Sequence, residues 1–415
     1  MGFAATLLRK GLGSLVRSGD LTLVMPDGER LTFGDGTGEP VVARLTDPAA
    51  VRSLLLDPDL RTGELFTDGR LIIETGNVYD FLSLILRHGD ESPPSPIVRT
   101  IDRLRTATQL WRQKNDSGLA RRNVAHHYDL GDQLYALFLD PDWQYSCAYF
   151  EHPGQSLADA QLAKKRHIAA KLLVEPQHKT LDIGCGWGGL ALYLAGVCGV
   201  TDVLGVTLSS EQIARAQQRA SAANLNERAR FALTDYRAVT ETFDRIVSVG
   251  MFEHVGLGNY DQFFETCAAR LVEDGVMLLH TIGCSDEPSV TNPWITKYIF
   301  PGGHLPSLSD IAKSAERSGL VVTDIEVLRL HYAETLKAWR EAFMARRDEA
   351  VRLFDERFCR MWEYYLAMSE TAFRHEHVVV FQLQLARRQE SVPLTRDYIT
   401  LAEAALRVKE TGGAS

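Results

Sequence analysis

The segment His178–Gly196, "HKTLDIGCGWGGLALYLAG", constrains the fold more than any other part of this 415-residue chain. An apolar run ends near Asp182, a glycine-rich stretch follows, and a run rich in alanine and leucine comes next. This order predicts a buried strand, a tight turn and a helix, because glycine lets the backbone turn sharply and approach a ligand closely. A strand that leads into a helix is the repeating unit of α/β proteins with a parallel sheet.

The remaining C-terminal sequence continues this alternation. Strands are expected near 179–184, 202–208, 229–234, 244–250 and 275–282, with helices between them. The segments "LVVTDIEVLRL" and "HEHVVVFQLQLAR" are predicted as the last two strands, separated by a helical insertion at about 335–373. The pattern predicts an α/β fold with a doubly wound, seven-stranded sheet, in which ligands bind beyond the carboxyl ends of the strands.

The glycine turn fits two kinds of nucleotide site. A dinucleotide fingerprint requires an acidic residue about 20 positions further on, at the end of the next strand. That strand, "DVLGVTLSSEQ", ends in Thr207 and Ser209 instead. The pattern "LDIGCG" is that of the S-adenosylmethionine-binding turn of class I methyltransferases, with Rossmann-like topology, and Asp182 strengthens this interpretation.

The chain is long enough for two domains. Residues 1–92 are expected to form a small N-terminal α+β domain for lipid docking or positioning. It begins with an amphipathic helix, contains a hairpin turn at Pro26-Asp27-Gly28 and ends in the apolar helix "NVYDFLSLILRH". A basic linker helix is predicted at 93–122, and the catalytic domain is predicted at 123–415.

Charge and cysteine content limit the class of protein. The net charge of −9 argues against a dedicated nucleic-acid-binding protein. No signal peptide is evident, and no apolar run reaches the ~18 residues of a membrane span. The six cysteines show no C-x-x-C pairing, which indicates reduced thiols and no zinc site or other metal site. We therefore expect a cytoplasmic protein.

The linker carries a local excess of positive charge. Residues 91–125 contain seven basic and three acidic residues, with Trp111 among them. One interpretation is a solvated connector helix. The other is a basic surface for anionic lipid headgroups, which would place the protein peripherally at the inner face of the membrane. The sequence leaves open whether the chain forms a homodimer.

Polar residues recur where the predicted strands end. The segment "RIVSVGMFEHVG" brings Glu253 and His254 to the end of the fourth strand, and His280 lies near the end of the fifth. Adjacent strands are about 4.8 Å apart, so Glu253 and His280 are close enough to share one small ligand. Taken alone, each residue has a structural explanation: Glu253 as a helix cap, and His280 as a satisfied core residue.

Eight motifs occur in order over Ala125–Ser307: "HHYDLGDQLYALFLD", "WQYSCAYFEH", "LDIGCGWGGLA", "GVTLSSEQ", "DYR", "MFEHVG", "LLHTIG" and "KYIFPGGHLPS". Together they resemble the cyclopropane-fatty-acyl-phospholipid synthase family, which includes mycolic acid cyclopropane synthases. The N-terminal part resembles the extra domain of the long bacterial members only loosely. The resemblance implies transfer of a methylene from S-adenosylmethionine to the cis double bond of phospholipid acyl chains. It also implies a carbocation that is deprotonated by a bound bicarbonate.

The resemblance also implies roles for particular residues. The bicarbonate ligands map to Cys147, Glu253, His280, the backbone of Ile282, and Tyr332. The cofactor-contacting positions map to Tyr128, Tyr145, Ser146, Asp182, Gly184, Gly186, Thr207, Gln212, Asp235 and Tyr236. Taken alone, Cys147 would be a small buried residue and Tyr332 a packing residue.

Three alternatives remain open from the sequence. A sister lipid C-methyltransferase would keep the transferred carbon as a methyl or methylene branch. A nicotinamide-dependent oxidoreductase would use the glycine turn for a different cofactor. A non-enzymatic lipid-transfer role is disfavoured by the number of polar residues at the strand ends.

Overall fold

A computed structural model describes residues 3–88, 131–286 and 291–412 of the chain. The predicted linker helix at 93–122, including Trp111, lies outside the described residues, as does Tyr128. The predicted domain boundaries at 92 and 123 also lie between His88 and Gly131, outside the described residues.

The described strands are β1 (Asp20–Val24), β2 (Arg30–Phe33), β3 (Pro40–Leu45), β4 (Leu71–Thr75), β5 (Lys179–Ile183), β6 (Asp202–Thr207), β7 (Ala229–Leu233), β8 (Phe243–Val249), β9 (Leu271–Cys284), β10 (Val321–Leu328) and β11 (Val378–Ala386). The described α-helices are α1 (Phe3–Leu15), α2 (Pro48–Leu56), α3 (Pro58–Thr67), α4 (Val78–Leu86), α5 (Asp132–Tyr135), α6 (Leu157–Lys171), α7 (Gly189–Gly196), α8 (Ser210–Ala222), α9 (Tyr260–Arg270), α10 (Pro293–Tyr298), α11 (Leu308–Arg317), α12 (His331–Ala345), α13 (Arg347–Leu353), α14 (Glu356–His375) and α15 (Asp397–Gly412). Short 3-10 helices span Tyr236–Ala238, Phe252–His254, Leu257–Asn259 and Gln389–Ser391.

The chain forms two compact units. The first contains residues 3–88 together with 291–301 and 333–378, and the second contains 131–286, 302–332 and 379–412. The predicted helical insertion at about 335–373 is helical, in α12, α13 and α14, and it lies within the first unit. Sequence order alone placed this insertion in the catalytic domain. Local sequence patterns do not indicate that separated segments of the chain fold into one unit.

The first unit contains a four-stranded sheet in the order β2-β1-β3-β4. The predicted hairpin joins β1 to β2, with Gly28 at a φ of +88° and its N–H donating to the carbonyl of Met25. A capping box between Asn77 and Asp80 begins α4, which explains why the apolar helix starts where it does. In α3, Gly63 lies so close to the Trp294 ring that a Cβ there would be 2.5 Å from the indole nitrogen.

The second unit contains a seven-stranded sheet in the order β10-β11-β9-β8-β5-β6-β7. The pairs β5–β6, β5–β8, β6–β7 and β8–β9 are parallel, and β10 pairs with β11 in antiparallel register. All seven strands predicted for the catalytic part are present, and the doubly wound α/β fold is confirmed. Because β5, β6 and β8 are parallel, their carboxyl ends lie at one edge of the sheet. The strand order reverses beside β5, and such folds bind ligands at this position.

Alternation along these strands separates an apolar face from a partly polar one. Leu181 and Ile183 belong to one core cluster, so Asp182 between them faces the opposite side of the sheet. Leu278 belongs to a second core cluster, and His280, two residues further along β9, projects from that same side. The second side therefore carries buried polar groups near the carboxyl ends of the strands.

None of the helices in the described part of the chain is both long and apolar enough to span a lipid bilayer.

Candidate active site

The glycine turn after β5 forms one wall of a pocket. Gly184 and Gly186 have φ values of +80° and +53°, a region that residues other than glycine rarely occupy. The N–H groups of Gly184 and Cys185 donate to the carbonyl of Val206 at 2.9 and 3.0 Å, which ties the turn to β6. A Cβ on Gly186 would meet no atom within 4 Å, so the backbone here borders open space that a ligand can approach closely.

The predicted cofactor positions come together around this pocket. Apart from Tyr128, which is not described, every one of them lines it: Tyr145, Ser146, Asp182, Gly184, Gly186, Thr207, Gln212, Asp235 and Tyr236. They come from the ends of β5, β6 and β7 and from the segment before α6, which are far apart in the sequence.

Polar side chains at the end of β6 bind one another. The Thr207 hydroxyl donates to Oε1 of Gln212 at 2.8 Å, and the Ser209 hydroxyl accepts the N–H of Gln212 at the start of α8. The acidic residue that a dinucleotide site requires at the end of the second strand is replaced by this threonine and its glutamine partner. The local chemistry thus differs from that of a nicotinamide site.

Lys164 of α6 lines the same pocket, although sequence patterns did not single it out. Its ammonium group donates to Oε1 of Gln144 and to the hydroxyl of Ser146, both at 2.7 Å. Burial lowers the pKa of Lys164 to about 8, against the opposing effect of the Asp140 carboxylate. A lysine in a helix ordinarily indicates an exposed position, which is why sequence patterns do not indicate a role for Lys164.

Asp182 is buried beside this lysine. Burial raises the pKa of its carboxyl to about 7, and the positive charge of Lys164 only partly opposes that rise. Its Oδ2 atom has no hydrogen-bond partner among the residues that the structure describes. An acceptor of this kind at a pocket wall is available to a hydroxyl or amino group of a bound ligand.

Glu253 lies in the 3-10 helix that follows β8 and is buried. Its Oε1 accepts the backbone N–H of Ile282 at 2.6 Å, whereas Oε2 has no partner within the described ranges. The backbone of Ile282, predicted as an anion ligand, is therefore a hydrogen-bond donor to Glu253 in this arrangement. Burial raises the pKa of the Glu253 carboxyl to about 7, and the Ile282 N–H opposes that rise.

His280 lies two residues before Ile282 on β9 and is buried. Its Nδ1 atom contacts Nε2 of Gln382 at 3.1 Å, and its Nε2 has no partner in the described part of the chain. Burial holds the pKa of His280 well below its ordinary value, and the charges of Lys164 and Lys171 lower it further. The ring is therefore neutral near pH 7, with one ring nitrogen able to bind a ligand.

Cys147 and Tyr332 come from other segments. Cys147 is fully buried next to Ser146, and its thiol lies 3.3 Å from the carbonyl of Ala148. Tyr332 is half-buried in the first turn of α12, beside His331. The Nδ1 atom of His331 accepts the N–H of Phe150 at 2.9 Å, which links the start of this helix to the segment that carries Cys147.

Two histidines complete the surroundings of Glu253. His254 lines the pocket, and burial lowers its pKa to about 4. The backbone N–H of His304 donates to the carbonyl of Glu253 at 3.1 Å. Both ring nitrogens of His304 are buried and lack partners among the residues described. His304 lies in the motif "KYIFPGGHLPS", but no sequence pattern distinguishes it from the other residues of that motif.

Comparison with known proteins identifies the family of this chain. The family model described as mycolic acid cyclopropane synthetase matches residues 115–383. The chain belongs to this family. It is 40% identical over 352 residues to "Cyclopropane-fatty-acyl-phospholipid synthase" of Escherichia coli (strain K12), covering 85% of this chain and 89% of the relative. It is 36% identical over 385 residues to a tuberculostearic acid methyltransferase of Mycobacterium tuberculosis, covering 86% and 87% of the two chains.

A solved structure supports the fold. A mycolic acid cyclopropane synthase crystallised with SAH and CTAB aligns with a TM-score of 0.61 at 36% identity. The alignment covers 64% of this chain and 97% of that one. The class I methyltransferase fold of this family member is thus confirmed, and the dinucleotide alternative finds no support.

We expect Gly186→Val to abolish binding of S-adenosylmethionine. A β-branched residue is strained at a φ of +53°, and its side chain would occupy the open space beside the turn. Gly154→Val is the matched control, because Gly154 also has a positive φ and open surroundings but is exposed and outside the pocket lining. Titration calorimetry should show loss of binding only in the first variant. Equal affinities would exclude this turn as the cofactor site.

We expect the stability of Glu253→Gln relative to the wild type to increase with pH. The folded-state pKa of Glu253 is about 7 and its ordinary value is 4.5, so the folded state binds more protons than the unfolded state between these values. The contribution of Glu253 to stability is thus greatest below pH 4.5 and is lost as the pH rises through 7. Glutamine does not titrate, so the difference should grow by up to about 3 kcal/mol across this window.

Urea unfolding at several pH values across that window measures this difference. Glu316→Gln, which removes a carboxylate from the exposed surface, controls for the loss of one negative charge. A difference that stays constant with pH would show that burial does not perturb Glu253.

Proposed function

We propose that this protein transfers a methylene from S-adenosylmethionine to the cis double bond of unsaturated acyl chains of phospholipids, giving cyclopropane fatty acids. The observation that carries the proposal is the arrangement beside the glycine-turn pocket. There, Glu253 and His280 are both buried, and each has one polar atom without a partner among the described residues. The similarity to the E. coli synthase, whose name states this activity, supports the choice of substrate.

The pocket residues suit S-adenosylmethionine. The turn at Gly184 and Gly186 leaves space for a ligand to approach the backbone closely. Asp182 offers a hydrogen-bond acceptor on the wall of the pocket. Thr207 and Gln212 place neutral hydrogen-bonding groups at the end of β6. The SAH bound in the related mycolic acid cyclopropane synthase supports this assignment.

A bicarbonate ion fits the groups around Glu253. Nε2 of neutral His280, which has no partner among the residues described, can donate a hydrogen bond to an anion. The Oε2 atom of Glu253 can accept one from the hydroxyl of bicarbonate. The ammonium groups of Lys164 and Lys171 lower the pKa of His280, and positive charge near this position would favour an anion. Cys147 and Tyr332 are the further ligands that we propose.

The chemistry requires a proton acceptor and a dry environment. Transfer of the methyl group breaks its bond to sulfur, forms a bond to one alkene carbon and leaves a cation on the other. Loss of a proton from the new methyl group then lets its carbon close the ring. A bound bicarbonate would supply the acceptor for that proton. The protein would orient this acceptor through Glu253 and His280, and burial of both residues excludes water from the cation.

A branched product is the second candidate. The tuberculostearic acid methyltransferase of M. tuberculosis, 36% identical, carries a name that points to a different product of related chemistry. A hydride shift that moves the cation to the carbon bearing the new methyl group, followed by loss of a proton from that methyl group, would leave a methylene branch. Mass spectrometry with proton NMR of lipids from cells expressing the protein separates the two products, because ring protons and branch protons have different chemical shifts.

We expect Glu253→Gln to retain the fold and cofactor binding but to lose most turnover. Glutamine preserves the size of the side chain and can still accept the Ile282 N–H, but it presents an NH₂ group where Oε2 was. General-base catalysis contributes about 10²–10⁴-fold, or roughly 3–5 kcal/mol of barrier. Wild-type activity should also fall when carbonate is stripped from the buffer and recover when bicarbonate is restored.

High residual turnover of Glu253→Gln would contradict this prediction. If the glutamine variant kept more than about a tenth of wild-type turnover, the change in barrier would be below about 1.4 kcal/mol and Glu253 could not organise the base. If Glu253 only capped a helix, its loss would cost ~1 kcal/mol of stability and leave turnover nearly intact.

We also propose peripheral binding to anionic membranes through the basic segment around Arg103, Arg105 and Arg112. Changing all three to glutamate should weaken co-sedimentation with anionic vesicles, since each basic residue near a charged surface contributes about 1 kcal/mol and less at high salt. Affinity for S-adenosylmethionine and binding to neutral vesicles serve as controls and should not change. Undiminished binding to anionic vesicles would identify the segment as a linker only.

A further inference from the structure

A buried chain of hydrogen bonds leads to the far side of the His280 ring. Nε2 of Gln382 in β11 lies 3.1 Å from Nδ1 of His280, and Oε1 of Gln382 accepts from the ammonium group of Lys171 at 3.3 Å. Gln382 and Lys171 are both fully buried and His280 nearly so. These residues come from β11, α6 and β9, so the chain exists only in the folded second unit.

The chemistry of lysine sets the direction of every bond in this chain. An ammonium group can only donate, so the group of Gln382 that faces Lys171 must be its oxygen. The amide nitrogen of Gln382 then faces His280 and donates, and Nδ1 of His280 must accept. A neutral imidazole that accepts at Nδ1 carries its hydrogen on Nε2, the atom that has no partner among the described residues.

Lys171 is anchored as a cation at the other end. Its ammonium group lies 2.7 Å from Glu326 and 3.5 Å from Asp324. Glu326 also accepts from Nε2 of His167 at 2.7 Å. Although burial opposes it, these hydrogen bonds and charges hold the pKa of Glu326 well below its ordinary value, so the carboxylate beside Lys171 stays ionised.

We propose that Gln382, oriented by Lys171, is a positioning residue that holds His280 in the tautomer with its hydrogen on Nε2, so that His280 donates to the bound bicarbonate. This inference rests on the proposed function. In the other tautomer, a lone pair on Nε2 would face the oxygen atoms of the anion. The donor would be lost and replaced by repulsion, which should weaken bicarbonate binding about 10- to 100-fold, the usual value of a hydrogen bond to a charged group.

The matched pair Gln382→Met and Gln384→Met tests the proposal. Gln384 lies two residues further along β11 and is equally buried, but its partners are the carbonyl of Lys171, the Tyr398 hydroxyl and the Thr323 hydroxyl. Methionine removes the amide at nearly constant size. Gln382→Met should raise the bicarbonate concentration needed for half-maximal rate about 10-fold or more, with an unchanged KM for S-adenosylmethionine. Gln384→Met should change neither quantity.

Gln382→Glu should give a larger effect. A carboxylate beside Nδ1 accepts a hydrogen bond and therefore favours a hydrogen on Nδ1, the opposite tautomer. We expect a higher bicarbonate requirement than in Gln382→Met. If both Gln382 variants keep the wild-type requirement while binding the cofactor normally, or if Gln384→Met shows the same loss, the proposal is wrong.

A direct spectroscopic measurement on the wild-type protein tests the proposal even if the Gln382 variants fail to fold. ¹⁵N NMR of the wild-type protein labelled at the histidine ring nitrogens distinguishes the two tautomers, and the His280 signals are identified by their loss in His280→Gln. The proposal requires hydrogen on Nε2, and hydrogen on Nδ1 would overturn it. If wild-type activity does not depend on bicarbonate, the proposed mechanism fails, whereas the NMR result still decides what Gln382 does to His280.

Discussion

The parallel pairing of β8 with β5 on one side and β9 on the other decides where the groups of the candidate site lie. In this register Ile183 is opposite Ser248, and Val249 is opposite His280. The glycine turn after β5 and the 3-10 helix that carries Glu253 therefore leave the same edge of the sheet. A shift of β9 by one residue would turn His280 to the opposite face, because side chains alternate along a strand.

One hydrogen bond extends this constraint beyond the sheet. The N–H of Ile282 binds Glu253, which fixes the carboxylate beside β9 and leaves only one of its oxygen atoms for a ligand. The carbonyl of the same glutamate accepts the N–H of His304. Glu253 is thus held through both its side chain and its backbone, which suits the role that we propose for it in orienting a small ligand.

Buried polar atoms without partners are costly, and this site contains several of them in its described residues. Burial favours the neutral forms of Glu253, Asp182 and His280, raising the pKa of each acid and lowering that of the base. The ammonium group of Lys164 opposes the rise for Asp182, whereas Lys164 and Lys171 lower the pKa of His280 further. Buried groups held in their neutral forms suit the role that we propose for them, which is to bind a small anion as the base.

The sequence by itself determined the α/β class, all seven strands of the large sheet to within a few residues, the glycine turn and the resemblance to a family that the comparisons confirm. These features follow from local patterns: apolar runs, glycine spacing and ordered motifs. The tertiary structure alone decided that 291–301 and 333–378 belong with the N-terminal residues, and that Ile282 donates to Glu253. It alone also showed that Lys164 is buried and that Gln382 contacts His280. Each of these facts joins segments far apart in the chain, and no local pattern encodes the burial or the partner that a polar side chain acquires only when its neighbours fold around it.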